Sequence, residues 1–379
     1  MCLFVAKTYD VIVIGAGIVG SACAAECARE GLSVAIIEAG IIGGGATAAG
    51  MGHLVVMDDS EAQFALTRYS QKLWDAVSDE LPHEVEHDAC GTIWIAADDE
   101  EMAEAKRKAA FYSERGVLVE MLDAQSLAEA EPNLRPGLVG GLRVSGDSVI
   151  YPPCAAQFFV DQATARRADL FLGASVETIT ADGIRLRNGS SISAGVIVNS
   201  AGSWSPALTP GLPVKKRKGH LVITDRYPQF LRHQLVELGY LKSAHSLTAE
   251  SVAFNIQPRK TGQLLIGSSR QFDVDDARID TSILTRMLDR AMEFLPDLRK
   301  LSSLRAWTGF RAATPDKLPL IGPHIEHKRL YLATGHEGLG ITTSLGTAKL
   351  LAAQIMNRET EIPVAPYLPA RVTQETVHV

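Results

Sequence analysis

Six residues near the N-terminus, Gly15-Ala16-Gly17-Ile18-Val19-Gly20, follow the strand-like run Tyr9-Asp10-Val11-Ile12-Val13-Ile14. Glu38 closes the next apolar run, Ser33-Val34-Ala35-Ile36-Ile37, eighteen positions beyond Gly20. Such a pattern can bind a dinucleotide. Gly15 permits a tight turn, Gly17 lets the backbone approach a pyrophosphate, and Gly20 lets a helix pack closely on the strand. The helix that starts here would face the phosphates with unpaired N–H groups and the positive end of its dipole. Glu38 can accept both ribose hydroxyls of an adenosine and would repel a 2′-phosphate. That disfavours NADP and leaves NAD and FAD open.

A second unit of the same kind closes the chain. Arg329-Leu330-Tyr331-Leu332-Ala333-Thr334 reads as a strand, Gly335-His336-Glu337-Gly338-Leu339-Gly340 as a glycine turn, and residues 343–356 as a helix. An NAD enzyme needs one such unit beside a catalytic domain, whereas a flavin with an adenosine tail needs a distant anchor for its ring. The late helix N-terminus could stabilise negative charge at the pyrimidine edge of a reduced flavin. Between the two units, residues 40–52 hold six glycines in thirteen positions. A loop that rich in glycine suits a flat or anionic ligand wrapped by backbone, with Thr47 placed to bond a phosphate.

These groups must be held by ordinary α/β elements. The chain has 379 residues, 46% hydrophobic and 21% charged, which suits a two-domain enzyme with a large core. A net charge of −7 without a basic stripe argues against a nucleic-acid partner. The longest basic run, Lys215-Lys216-Arg217-Lys218, reads as a solvated turn beside the strand Leu221-Val222-Ile223-Thr224. Cys2, Cys23, Cys27, Cys90 and Cys154 lack metal-ligand spacing, so no metal is expected, and Cys23 and Cys27 read as small buried hydrophobes. No membrane span and no signal peptide are expected, which implies a cytoplasmic protein, peripheral at a membrane if its electrons enter a respiratory chain.

Residues 60–81 are amphipathic, with Phe64, Tyr69, Leu73, Trp74 and Val77 near helical spacing; residues 98–115, 126–132 and 275–294 also read as helices. Strands are expected at 91–97, 174–178, 196–199, 252–256, 263–267 and 304–310.

The chain resembles the D-amino-acid oxidase superfamily of FAD enzymes, in the subgroup that contains glycine oxidase, sarcosine oxidase and D-hydroxyproline dehydrogenase. The resemblance spans nearly the whole chain. It is carried by residues 15–20 with Glu38, by Gly44-Gly45-Ala46-Thr47 through His53, and by Asn199-Ser200-Ala201-Gly202-Ser203-Trp204. Further carriers are Gly309-Phe310-Arg311-Ala312-Ala313-Thr314-Pro315-Asp316 and Gly335-His336-Glu337-Gly338-Leu339-Gly340-Ile341-Thr342. The stretch Ala46-Thr47-Ala48-Ala49-Gly50-Met51-Gly52-His53-Leu54 is most similar to the D-hydroxyproline dehydrogenases.

The resemblance implies a mixed α/β fold of the glutathione-reductase type, with an inserted antiparallel-sheet substrate domain. The Rossmann-like FAD-binding domain would comprise residues 1–85, 145–213 and 312–368, the substrate domain 86–144 and 214–311, and a C-terminal tail 369–379. FAD would be held by Gly15, Gly17, Ile18, Val19, Gly20, Glu38, Ala39, Gly45, Ala46, Thr47, Met51, Gly52, Val176, Ala201, Gly202, Trp204, Gly338, Leu339, Gly340, Ile341 and Thr342. Gly309 stands where sarcosine oxidases carry a flavin-linking cysteine, which implies non-covalent FAD. Leu265 stands where they carry an oxygen-activating lysine, which leans toward a dehydrogenase.

Arg311 matches the arginine that grips the substrate carboxylate, a task for which a planar fork of donors is suited. On a strand, Trp307, Gly309 and Arg311 share one face. His53 is a substrate contact or a hydrogen-bonded loop histidine. His336 contacts substrate or orders the glycine turn, and Glu337 reads a substrate amine or faces solvent. Arg259, Ser268, Ser269 and Arg270 lie on the substrate sheet without an assigned role. The implied reaction is hydride transfer from a small amino acid, D-hydroxyproline or a related cyclic or D-amino acid, to flavin N5, giving an imine. The acceptor would be a quinone, a partner electron-transfer subunit or oxygen, in a homo- or hetero-oligomer. A peroxide-forming glycine, sarcosine or D-amino-acid oxidase and the flavoprotein subunit of a heteromeric dehydrogenase are the alternatives.

Overall fold

The structure is a computed structural model that describes residues 7–239 and 250–374; Cys2 lies outside them. Two eight-stranded sheets dominate. In the first, the strands Leu320–Pro323, Leu330–Thr334, Ser191–Asn199, Thr8–Ile14, Val34–Glu38 and Asp169–Leu172 lie side by side in that order. All neighbours but the first pair run parallel. Val176–Ile179 and Gly183–Leu186 extend the sheet as an antiparallel hairpin on Ser191–Asn199. The parallel strands are apolar on both faces because both faces are covered. Val11 and Val13 join the core beneath the helices Ile18–Arg29, Pro152–Ala165 and Gly340–Ile355, while Ile12 and Ile14 face the opposite core. Cys23 and Cys27 are buried in the first of those helices and unpaired.

The second sheet runs Ser303–Ala313, Lys215–Thr224, Leu264–Phe272, Glu250–Pro258, Gln234–Glu237, Thr92–Ala96, Gly140–Val144 and Val119–Asp123. One face packs on the helix Thr281–Phe294, where Phe254 and Phe294 stack at 4.6 Å. The sheet is antiparallel as expected except at one place, where Gln234–Glu237 runs parallel to Thr92–Ala96. Those two strands come from separate passes of the chain, so no hairpin dictates their direction.

Several elements depart from the sequence expectations. The basic run is not a solvated turn. It opens the strand Lys215–Thr224, with Arg217 and Lys218 buried, because Arg217 pairs with Glu337 and Lys218 with Asp276. The helix expected over 275–294 begins only at Thr281, where the Asp280 carboxylate accepts from the backbone N–H groups of Ser282 and Ile283. The last long helix begins at Gly340 rather than 343, so the glycine turn is shorter and feeds directly into it. Within the expected tail, Pro369 is buried and Arg371 Nε donates to Asp316 at 2.6 Å.

A buried ion pair ties the second sheet to the segment just after the glycine-rich loop. Lys108 and Asp58 are both nearly inaccessible and in direct contact, with the ammonium 4.5 Å above the Trp94 ring centre. Beside them Tyr112 donates its hydroxyl hydrogen to Val56 O at 3.0 Å. A buried charge stripped of its partner is costly, whereas an apolar replacement of the whole pair is not. Lys108→Met is therefore expected to lower the unfolding free energy by about 3–5 kcal/mol in denaturant titrations. Lys108→Met combined with Asp58→Leu should recover much of that loss.

Candidate active site

A single cavity of about 730 Å³ runs from the first glycine turn to the face of the second sheet. Its volume falls in the ~300–1,000 Å³ range usual for small-molecule sites. Two helices of 12 and 16 residues, Ile18–Arg29 and Gly340–Ile355, point their N-termini into it. Neither is capped by the side chain of its own N-cap residue, Gly17 or Leu339. Both therefore offer donors and positive potential to one ligand. The first turn has no room for side chains: a Cβ on Gly15 would lie 2.9 Å from Ser200 O, and one on Gly20 only 1.9 Å from Gly15 O.

Glu38 is held before any ligand arrives. One carboxylate oxygen accepts from Ala16 N–H and the other from Gly40 N–H, both at 2.7 Å. Each oxygen keeps acceptor capacity for a hydroxyl. Thr47 Oγ1 accepts from Ile18 N–H at 3.0 Å, which leaves its own hydrogen to donate. Its placement thus differs from a simple phosphate contact, because the hydroxyl also meets one of the free donors of the first helix.

Toward the second sheet the cavity passes Met51, Gly52 and His53 and ends on the strands that carry Arg311, Ser268, Arg270, Asn255, Gln234 and Trp94. Arg311 lies across the sheet, its Nη1 donating to Ser269 O at 3.0 Å. Glycines make this possible. A Cβ on Gly219 would lie 2.4 Å from Arg311 Nη1, and one on Gly338 3.3 Å from its Cδ. The strand His53–Leu54 pairs with Ser148–Val149, and Thr342 Oγ1 donates to His53 O at 2.8 Å. Burial pushes the His53 imidazole down to about 4, against a hydrogen bond with Gln257 and with some help from the Arg311 charge. The ring is therefore neutral near pH 7, and its Nε2 is buried with no hydrogen-bond partner among the described residues.

Of the residues given a binding or substrate role from the sequence, all but three line this cavity. Gly20 is packed against the turn behind it, and Thr342 faces the core, where its carbonyl accepts from Trp74 Nε1 at 3.1 Å. Trp307 shares the face of Arg311 but packs with Met51, Leu221 and Leu265. Two further residues line the wall but are already engaged. Glu337 does not face solvent, since its carboxylate pairs with buried Arg217. His336 is buried, its Nε2 3.0 Å from Thr347 Oγ1, and burial lowers it to about 3, so the ring orders the loop onto the helix. Arg259 pairs with Glu86 beneath Tyr151 and is not at the wall.

Sequence reasoning missed Arg217, Gln234, Asn255 and Trp94. A signal was available for the first, because Arg217, Gly219 and Leu221 alternate as Arg311, Gly309 and Trp307 do, and the two strands pair in that register. Among the described residues, no group of three or more His, Cys, Asp or Glu is arranged to hold a metal, and no helix is long and apolar enough to cross a membrane.

Two helix N-termini aimed into one cavity, a carboxylate preset by backbone donors and glycine turns without room for a Cβ suit FAD, with its diphosphate, ribose and flat ring. The matching family model, described as DAO, FAD dependent oxidoreductase, covers residues 10–354, and the chain belongs to this family. It is 26% identical to hydrogen cyanide synthase subunit HcnC of Pseudomonas aeruginosa over 97% of each chain. It is 29% identical to glycine oxidase of Geobacillus kaustophilus over 95% of this chain and 96% of that one. The crystal structure of glycine oxidase from that organism superposes with a TM-score of 0.87 at 28% identity, covering 96% of this chain and 99% of that chain. A D-amino acid dehydrogenase of Granulibacter bethesdensis is 27% identical over 81% of this chain and 73% of its own.

Two measurements check the site. Glu38→Ala is expected to release FAD on dialysis that leaves the unaltered protein loaded, read as the flavin-to-protein absorbance ratio. Nitrogen-15 shifts of the His53 ring should stay those of a neutral imidazole from pH 8 down to about 5.5; a midpoint near 6.5, the ordinary value, would contradict its burial.

Proposed function

We propose that the protein is an FAD-dependent dehydrogenase that oxidises the C–N bond of a small amino acid, D-hydroxyproline or a related cyclic or D-amino acid, to the imine. The observation that carries this reading is Arg311, a cation spread over glycines at the sheet end of a cavity whose other end suits a dinucleotide. The glycine oxidase and D-amino acid dehydrogenase relatives support an amino acid as substrate.

Arg311 would take the substrate carboxylate with parallel charge-assisted hydrogen bonds and so fix which face of the α-carbon is presented. His53, neutral and at the same wall, would shape the pocket beside the substrate amine, whose uncharged form has the lone pair that drives hydride loss. FAD, when bound, supplies the two-electron acceptor for that hydride. The turn 15–20, Glu38, Thr47 and the helix starting at Gly340 would hold it, non-covalently since Gly309 replaces a linking cysteine. A Cβ at Gly309 would lie 2.2 Å from Ala49 Cβ, so the wall there is already closed by backbone and a methyl. Met51, Leu221 and Leu265 form an apolar patch that keeps water away. The imine is then hydrolysed in water, or persists as a pyrroline from a ring substrate.

Leu265 in that apolar patch, where sarcosine oxidases carry a lysine, supports an acceptor other than oxygen. The likeness to a protein named as a subunit supports a partner chain as the electron outlet.

Arg311→Ala should retain FAD but lose about 100-fold or more in kcat/KM, chiefly through KM. Unchanged kinetics would remove the clamp. On one amino acid, reduction of an artificial dye should far exceed peroxide yield in air; equal yields would favour the oxidase reading.

A further inference from the structure

Arg270 stands in the cavity wall at the sheet end, half-buried and without a part in holding FAD or the substrate α-carboxylate. Its direction follows from its strand. Ser269 turns its hydroxyl to His220 Nδ1 at 2.8 Å, and Gln271 turns its amide to Glu250 and Asp280; none of these residues lines the cavity. Arg270, between them, faces the other way, into it.

The two neighbouring strands bring further guanidinium groups to the same face. Arg217 lies directly opposite Arg311 on one side and opposite Phe272 on the other, its guanidinium carbon 4.6 Å from the Phe272 ring centre. Phe272 and Arg270 alternate onto one face, so Arg270 is the diagonal neighbour of Arg217. Arg311 reaches across from the outer strand, because its Nη1 donates to Ser269 O, which belongs to the same peptide unit as the Arg270 N–H. Three cations thus meet the cavity across three adjacent strands, ~10 Å of sheet.

Arg217 has Glu337 as its counter-ion, and Arg311 is assigned to the substrate α-carboxylate. Arg270 brings one more charge to bear on the same molecule. A guanidinium offers donors and no acceptor, so the group that it recognises best is an anion. Like charges crowded on one sheet face repel, and a second negative group on the ligand relieves that repulsion.

We propose that Arg270 reads a second carboxylate, so that the preferred substrates are α-amino dicarboxylates with their acidic side chain on the Arg270 side of the clamp. The Arg311 fork ends beside the Arg270 backbone, which sets a carboxylate on a short side chain within reach of the Arg270 guanidinium. The matching amide, alike in shape and uncharged, forfeits a charge-assisted pair and is selected against. This inference rests on the reading of Arg311 as the carboxylate clamp and selects, among the D-amino acids of that reading, those with an acidic side chain.

The test uses the full-length, FAD-loaded protein with aspartate against asparagine and glutamate against glutamine, in D and L forms, and with alanine, proline and 4-hydroxyproline as uncharged references. Anaerobic flavin bleaching and dye-coupled kcat/KM are the readouts. The acid of at least one pair should exceed its amide about tenfold or more in kcat/KM. Arg270→Met, checked for FAD retention, should lower that ratio about fivefold or more. Bleaching by any of these amino acids without a preference for either acid overturns the subsite and leaves the amine-oxidation reading standing, as does a preference that FAD-retaining Arg270→Met keeps in full. Should Arg270→Met lose FAD, the ratios of the unaltered protein decide alone. Failure of every amino acid to bleach the flavin overturns both readings.

Discussion

A guanidinium can lie flat across a sheet only where the residues beneath and beside it have no side chains. Gly219 and Gly338 meet that condition for Arg311, and they come from different parts of the chain: one from a strand of the second sheet, the other from the turn that closes the first. The cation therefore marks the seam between the two halves. Its hydrogen bond to Ser269 O fixes its reach over the sheet, and the Arg217–Glu337 pair ties the same strand to the same turn. The proposed orientation of an acid beside FAD would thus depend on the glycine turn and the second sheet keeping one relative position.

The cofactor end relies on a different device. Glu38 and Thr47 are both engaged by backbone N–H groups around the first turn, so their side chains are positioned without any ligand. Such preorganisation lowers the ordering cost of binding. At the substrate end the opposite holds. His53, Asn255 and Gln234 line the wall there, and each has a buried polar atom with no hydrogen-bond partner among the described residues.

Legibility of these features in the sequence follows from how local they are. The two glycine turns and Glu38 sit on contiguous strand–turn–helix units, so spacing alone points to their task. The strand alternation that sets Trp307, Gly309 and Arg311 on one face was equally readable, although Trp307 packs beneath Met51 instead of reaching the cavity. Arg217 was not read, because a run of four cations is usually solvated and only the far partner Glu337 makes one of them burial-tolerant. Asn255 was not read, although Val252, Phe254 and Ile256 alternate on the core face and so set Asn255 on the other. Helix starts were misplaced where capping ruled: Asp280 begins its helix by accepting two N–H groups, and the acids upstream of it are exposed chain.

The order of strands carries a consequence for how the chain assembles. Thr92–Ala96 has one of its two neighbours in Gln234–Glu237, and Ser191–Asn199 waits for Leu330–Thr334. Each sheet is thus begun by the first third of the chain and finished by the last. During synthesis neither layer can close until most of the polypeptide has left the ribosome, and unpaired edges stay open meanwhile. Long-range pairing of this sort is slow. A chain broken off before its last fifty residues would lack a central neighbour of the first sheet, and would meet the cell as a sticky, unfinished edge.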